Sequence, residues 1–239
     1  MSLRLNPRLL PVMVTVALLL LLFIAGAIRF ESFGSLRVVM NLFTDNAFLG
    51  ITAIGMTFVI LSGGIDLSVG AVIALSGVLC AVLIEQLGWH PLQAIPLVIV
   101  CGSLLGLVMG ALIQCYNMQP FIVTLAGMFF ARALATILSE QSIPIEHGFV
   151  DAINNFGIML PGRAWFGSAA MALIGIFILA VWLLHYTRLG GYIYALGGNA
   201  GSAALMGVPV GRTRILVYIL SSTLAATAGV VYCFYTSSG

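Results

Sequence analysis

From residue 47 to residue 84 the sequence carries a single charged side chain, Asp66, within Leu61-Ser62-Gly63-Gly64-Ile65-Asp66-Leu67-Ser68-Val69-Gly70. Gly63 or Gly64 can end one helix in the left-handed conformation, and Asp66 or Ser68 can cap the amides that open the next. Such a break sets a carboxylate beside a positive helix end, and paired half-helices with ends of this kind line polar pathways through membranes. The plainer alternative is a turn at the membrane edge in which Asp66 is only a cap, because an aspartate at the bilayer centre costs about 2.5 to 3.5 kcal/mol. Ser62, Gly63, Gly64, Asp66, Ser68 and Gly70 are therefore the candidates for a helix break or a translocation pathway.

A second segment, Leu196-Gly197-Gly198-Asn199-Ala200-Gly201-Ser202-Ala203-Ala204-Leu205-Met206-Gly207-Val208-Pro209, brackets a helix of roughly two turns. Asn199 is a good N-cap, Gly207 a good C-terminal residue, and Pro209 prevents resumption. A helix this short is marginal alone. One bearing Ala203, Ala204, Leu205 and Met206 is expected to dock, either on its own chain or on a partner subunit.

Other groups carry less chemistry. His185 with Ser62 or Ser76 raises an intramembrane hydrolase, but neither serine sits in a GxSxG or GxSG pattern. His90 and His147 have no metal-ligand partners at useful spacing. Cys80, Cys101, Cys115 and Cys233 lie in apolar runs without CxxC spacing, so they read as packing residues. Arg132 falls near the end of an apolar run, where its long side chain can snorkel to the interface. With no lysine in the chain, a GxxxxGK[ST] phosphate loop is excluded, and any ATP must be hydrolysed elsewhere.

The elements that position these residues are membrane spans. The chain of 239 residues is 62% apolar and 7% charged, against about 45 to 50% and 25% in soluble domains. A water-soluble globule is excluded, and a net charge of +2 points to no nucleic acid. Apolar runs at 9–28, 47–65, 67–84, 94–114, 121–138, 167–184 and 215–235 predict an all-α polytopic protein with about seven transmembrane helices. The first run is too long for a cleavable signal, despite Ala25-Gly26-Ala27. Residues 185–214 hold Arg188, Arg212 and Arg214 and no acid, and the amino terminus holds Arg4 and Arg8. Both segments are thus expected in the cytoplasm. The opposite loops then contain Glu31, Asp45, Glu85, Glu140, Glu146 and Asp151, all the acids except Asp66, together with Arg29, Arg37 and Arg163, and Arg132 lies near that face.

Glycine supplies 27 residues. Gly102, Gly106 and Gly110 form successive GxxxG steps, and Ser222 with Ala226 and Ala225 with Gly229 repeat the small-residue spacing. This spacing predicts close helix packing, either within the chain or between subunits.

Together, Gly55-Met56-Thr57-Phe58-Val59-Ile60-Leu61-Ser62-Gly63-Gly64-Ile65-Asp66-Leu67-Ser68-Val69-Gly70, Pro120-Phe121-Ile122-Val123-Thr124-Leu125-Ala126-Gly127-Met128, residues 195–208 and residues 218–229 resemble the permease subunits of bacterial ATP-binding-cassette importers for ribose, xylose, galactose and related sugars. Ser139-Glu140-Gln141-Ser142-Ile143-Pro144-Ile145 and Gly197-Gly198-Asn199 are most similar to a permease of the galactofuranose importer. The resemblance implies a permease dimer around a central pathway in the bacterial inner membrane. It also implies a periplasmic sugar-binding protein outside and two cytoplasmic ATPases, which would hold ATP and Mg. The ATPases would dock on a coupling helix comprising Gly197, Gly198, Asn199, Ala203, Ala204, Leu205 and Gly207. Family members are longer and have further spans, so the chain is expected to be a single permease domain lacking its carboxyl-terminal part. An ion-coupled secondary sugar transporter and a noncatalytic scaffold subunit are the alternatives.

Overall fold

The computed structural model describes residues 10–30, 33–161 and 164–239. Arg4, Arg8, Glu31 and Arg163 lie outside the described residues. Helix α1 (Leu10–Arg29) has no buried residue, and Phe33 closes onto it at Phe23, with ring centroids 5.4 Å apart. Helices α2 (Leu36–Asp45) and α3 (Ala47–Leu61) meet at a 59° bend. Asn46 marks that bend, its side-chain amide donating to the Leu42 carbonyl at 2.9 Å.

Helix α4 (Val69–Ala81) runs on into a π-helical turn, Val82–Gln86. Helices α5 (Pro91–Cys115) and α6 (Pro120–Leu138) each begin at a proline, whose missing N–H and fixed φ suit the first helical position. A short helix α7 (Gly148–Asn154) and an antiparallel ribbon, β1 (Gly157–Leu160) with β2 (Ala164–Gly167), precede α8 (Ser168–Tyr186). Then come α9 (Arg188–Gly198), α10 (Ala200–Leu205) and α11 (Val210–Thr236).

Among the described residues six helices are long and apolar enough to cross a membrane, and the number rises to seven if the bent α2–α3 pair forms one span. The chain is thus an all-α polytopic membrane protein. The expected span at 47–65 is shorter than predicted. Helix α3 stops at Leu61, since Gly63 takes φ +78°. Its 15 residues rise only about 22 Å, less than the roughly 30 Å of a bilayer core. The ribbon was expected as loop, because four-residue strands leave no periodicity to read.

Helix α11 is the centre of the bundle, packed against α3, α4 and α5. A Cβ on Gly106 would lie 2.5 Å from the Tyr218 carbonyl and 2.8 Å from the Ser222 hydroxyl oxygen. A Cβ on Gly110 would lie 3.0 Å from the Ile215 Cα. On another face, a Cβ on Gly229 would meet the Ile73 carbonyl of α4 at 2.5 Å, and one on Gly55 of α3 would meet the Ser221 carbonyl at 3.2 Å. The small-residue spacing therefore serves packing within the chain. Ser103 and Thr223 add a hydroxyl pair at 2.7 Å across the α5–α11 contact.

Overpacking a close contact costs about 1 to 3 kcal/mol. Gly106→Leu should therefore insert into the membrane yet lower the detergent-solubilised unfolding temperature. Gly175→Leu, where a Cβ would meet nothing within 4 Å, should leave it unchanged.

Candidate functional site

The site begins where α3 stops. The Gly63 amide donates to the Ile60 carbonyl at 3.0 Å and the Gly64 amide to the Val59 carbonyl at 2.9 Å. These two bonds form a Schellman closure with Gly63 in the left-handed position. Gly64 is needed for a different reason, because a Cβ there would stand 2.8 Å from the Tyr218 hydroxyl. That hydroxyl donates to the Ile65 carbonyl at 3.3 Å.

Asp66 is 1% exposed. Its Oδ1 accepts the Ser68 amide at 2.9 Å and the Ser68 hydroxyl at 2.6 Å. Its Oδ2 accepts the Ser221 hydroxyl at 2.8 Å. Asp66 thus closes the turn leading into α4 and also ties that turn to α11. Ser68 occupies the N-cap position but gives its hydroxyl to Asp66 instead of accepting from the helix amides.

Beside the break lies a cavity of about 220 Å³, lined by Ser62, Gly63 and Gly64 of the break and by Asn117, Met118, Arg214 and Tyr218. Arg214 donates to the Gln114 side-chain oxygen at 2.9 Å, which holds the guanidinium at the wall. Asp66, Ser68 and Gly70 do not line the cavity. Gly70 is exposed, with open space where a Cβ would be.

The second segment reaches the same end of the bundle. Asn199 Oδ1 accepts the Ser202 amide at 2.8 Å and opens α10. Gly207, at φ +82°, closes it, with its amide donating to the Ala204 carbonyl and the Val208 amide to the Ala203 carbonyl, both at 3.0 Å. Ala203 is buried, whereas Leu205 is 92% exposed and Met206 85%. Beneath α10, Gly197 and Gly198 end α9, whose Ile193 and Leu196 are buried.

The remaining candidates disperse. The Ser62 hydroxyl donates to the Val59 carbonyl at 2.8 Å, and His185 Nδ1 lies 3.0 Å from the Val181 carbonyl. These bonds keep each within its own helix, with no serine–histidine pair between them. Arg132 is exposed on α6. All four cysteines are free thiols, with Cys80 and Cys233 buried and Cys115 exposed. Among the described residues no group of three metal-ligating side chains forms.

Sequence reasoning missed two groupings. His90 and His147, far apart in sequence, meet edge to face with ring centroids 5.4 Å apart. Each caps a helix through Nδ1, accepting from Leu92 at 3.2 Å and from Phe149 at 3.1 Å. Ser221, the partner of Asp66, is signalled in the sequence only by the hydroxyl run Ser221-Ser222-Thr223 in the middle of α11.

Comparison with known proteins decides the family. The model of the branched-chain amino acid transport system permease component matches residues 38–239. The chain belongs to this family. It is a permease component, a transport subunit rather than an enzyme. It is 46% identical to the inner membrane ABC transporter permease protein YjfF of Escherichia coli over 232 residues, covering 97% of this chain and 70% of that protein. The fructose import permease FruG of Bifidobacterium longum is 37% identical, with 96% of this chain and 69% of the relative covered. The ribose import permease RbsC of Escherichia coli is 36% identical, with 90% and 67% covered. No solved structure matches.

Removing an acceptor from buried donors costs about 1 to 3 kcal/mol. Asp66→Ala, which strands the Ser68 and Ser221 hydroxyls, should therefore lower the unfolding temperature of the solubilised permease. Gly70→Ala in the same segment should not, and a thermal unfolding series on the two variants checks both outcomes.

Proposed function

We propose that this permease is the membrane-spanning subunit of an ATP-binding-cassette importer for a monosaccharide. It works with cytoplasmic ATP-binding subunits, a second permease subunit and a periplasmic sugar-binding protein. ATP and Mg belong to the ATP-binding subunits. The observation that carries this reading is α10, a doubly capped helix with Leu205 and Met206 exposed at the end of the bundle that holds the cavity. Apolar side chains on so short a helix suit a receiving groove on a partner. The positive-inside rule places this end in the cytoplasm, next to Arg188, Arg212 and Arg214. With seven crossings the amino terminus is cytoplasmic too.

Transport is by alternating access. Sugar enters from the periplasm between two permeases, and closure of the ATP-binding subunits shifts α10 and rocks the spans. The polar wall of the cavity, with Asn117, Arg214 and Tyr218, suits transient hydrogen bonding to sugar hydroxyls on the cytoplasmic side. The named relatives import fructose and ribose, which supports a sugar as cargo. Galactofuranose is the specific sugar proposed, on the resemblance of residues 139–145 and 197–199. An ion-coupled transporter needs a free ionisable group within the membrane. Of the two candidates, Asp66 is held by three hydrogen bonds and Arg132 stands on the exposed face of α6, within reach of the interface by snorkelling, which disfavours that alternative.

The chain, purified in mild detergent from a membrane expressing its native neighbours, should co-elute with an ATP-binding subunit identifiable by mass spectrometry. Asn199→Trp and Gly207→Trp should abolish sugar-stimulated ATP turnover while preserving membrane insertion. Unchanged stimulation in both variants removes α10 from the coupling role.

A further inference from the structure

We propose that Gly197 is the positioning residue through which α10 moves the wall of the cavity. The inference rests on the reading of α10 as the site that receives the ATP-binding subunits. Its basis is a backbone-to-backbone contact. A Cβ on Gly197 would overlap the Leu61 carbonyl oxygen and lie 3.0 Å from the Leu61 carbonyl carbon and 3.4 Å from that of Ser62. In the other direction, a Cβ on Gly63 would lie 3.8 Å from the Gly197 Cα. No side chain stands between α9 and the end of α3 at this point, so neither has a rotamer with which to absorb a displacement.

Three further features turn the contact into a lever. Asn199 alone separates α9 from α10, so movement of α10 is delivered at Gly197 and Gly198. Ile193 is 0% exposed and Leu196 5% exposed, with Ile193 packed among Phe58, Val59, Val217 and Tyr218, which stops α9 from sliding freely. Residues 62–64, directly beyond the contact, are non-helical and form one wall of the cavity. The lining residues Asn117 and Met118 belong to the α5–α6 turn, which takes no part in the hydrogen bonds that hold residues 62–65. A push at Gly197 therefore shifts residues 62–64, together with the Tyr218 bound to them, against the Asn117–Met118 side of the cavity. Close-packed interiors transmit such displacements in small shear steps. Elsewhere on α9, a Cβ on Gly191 would meet nothing within 4 Å.

The test uses the complete importer, with Met118→Cys, at the apolar part of the cavity lining, as reporter and the nearby exposed Cys115 changed to serine. Maleimide labelling of the reporter is followed with and without ATP and vanadate. ATP is expected to change the labelling rate by about fivefold or more, within the range of ordinary coupling energies. Gly197→Ala should abolish that change and reduce maximal uptake by about tenfold or more. The half-saturating sugar concentration should not move, because the separate binding protein sets it. Gly191→Ala should match the unaltered chain. Labelling that remains ATP-dependent in Gly197→Ala, with unreduced uptake, overturns the proposal.

A second measurement needs no variant. Hydrogen exchange in the unaltered importer should show ATP-dependent protection changes at residues 62–64 as well as in α10. A change confined to α10 overturns the proposal even if Gly197→Ala fails to fold. Loss of the ATP-binding subunits from the unaltered chain overturns the importer reading itself. Their presence together with an indifferent Gly197→Ala overturns only the role of Gly197.

Discussion

Lipid offers helices no hydrophobic reason to meet, so a membrane bundle holds together by how closely its backbones can approach and by the polar groups they then share. In this permease the constraint falls on α11. Gly102, Gly106 and Gly110 let α5 lie along one of its faces, Gly229 lets α4 lie along another, and Gly55 admits α3. With α11 gripped in this way, Tyr218 and Ser221 are fixed in position, and they in turn hold the break after α3. The site therefore inherits its geometry from glycines on α3, α5 and α11 that do not themselves line the cavity.

The break has a second requirement. Buried backbone outside a helix persists only where its polar groups find partners within the protein. Here the Schellman closure at Gly63, the Tyr218 hydroxyl on the Ile65 carbonyl and the triply bonded Asp66 supply them. Asp66 is accordingly both turn-former and inter-helix tie, and the cavity beside it is lined by the neighbouring residues 62–64. The break and the cavity lining are thus supplied by adjacent residues.

The same closure recurs at Gly207, where α10 ends. Local chemistry thus builds two short, sharply bounded segments at one end of the bundle, and α9 joins them through the Gly197 contact. This arrangement places α10 and the cavity lining within a few residues of one backbone contact.

The sequence by itself determined the elements whose causes are local. Mean apolarity set the number of spans, Asn199 and Gly207 fixed α10 residue by residue, and the glycine pair located the break. These depend on hydrogen bonds and dihedral preferences within a few residues, which the order of amino acids specifies directly. Only the tertiary structure decided that the small-residue stripes pair within the chain, that Ser221 rather than a neighbouring hydroxyl completes Asp66, that His90 meets His147, and that Gly197 rests on Leu61. Each of these depends on the rotation and depth of one helix against another. In an apolar helix, nearly uniform around its circumference, hydrophobic periodicity leaves that rotation unspecified, and close packing of the whole bundle selects it.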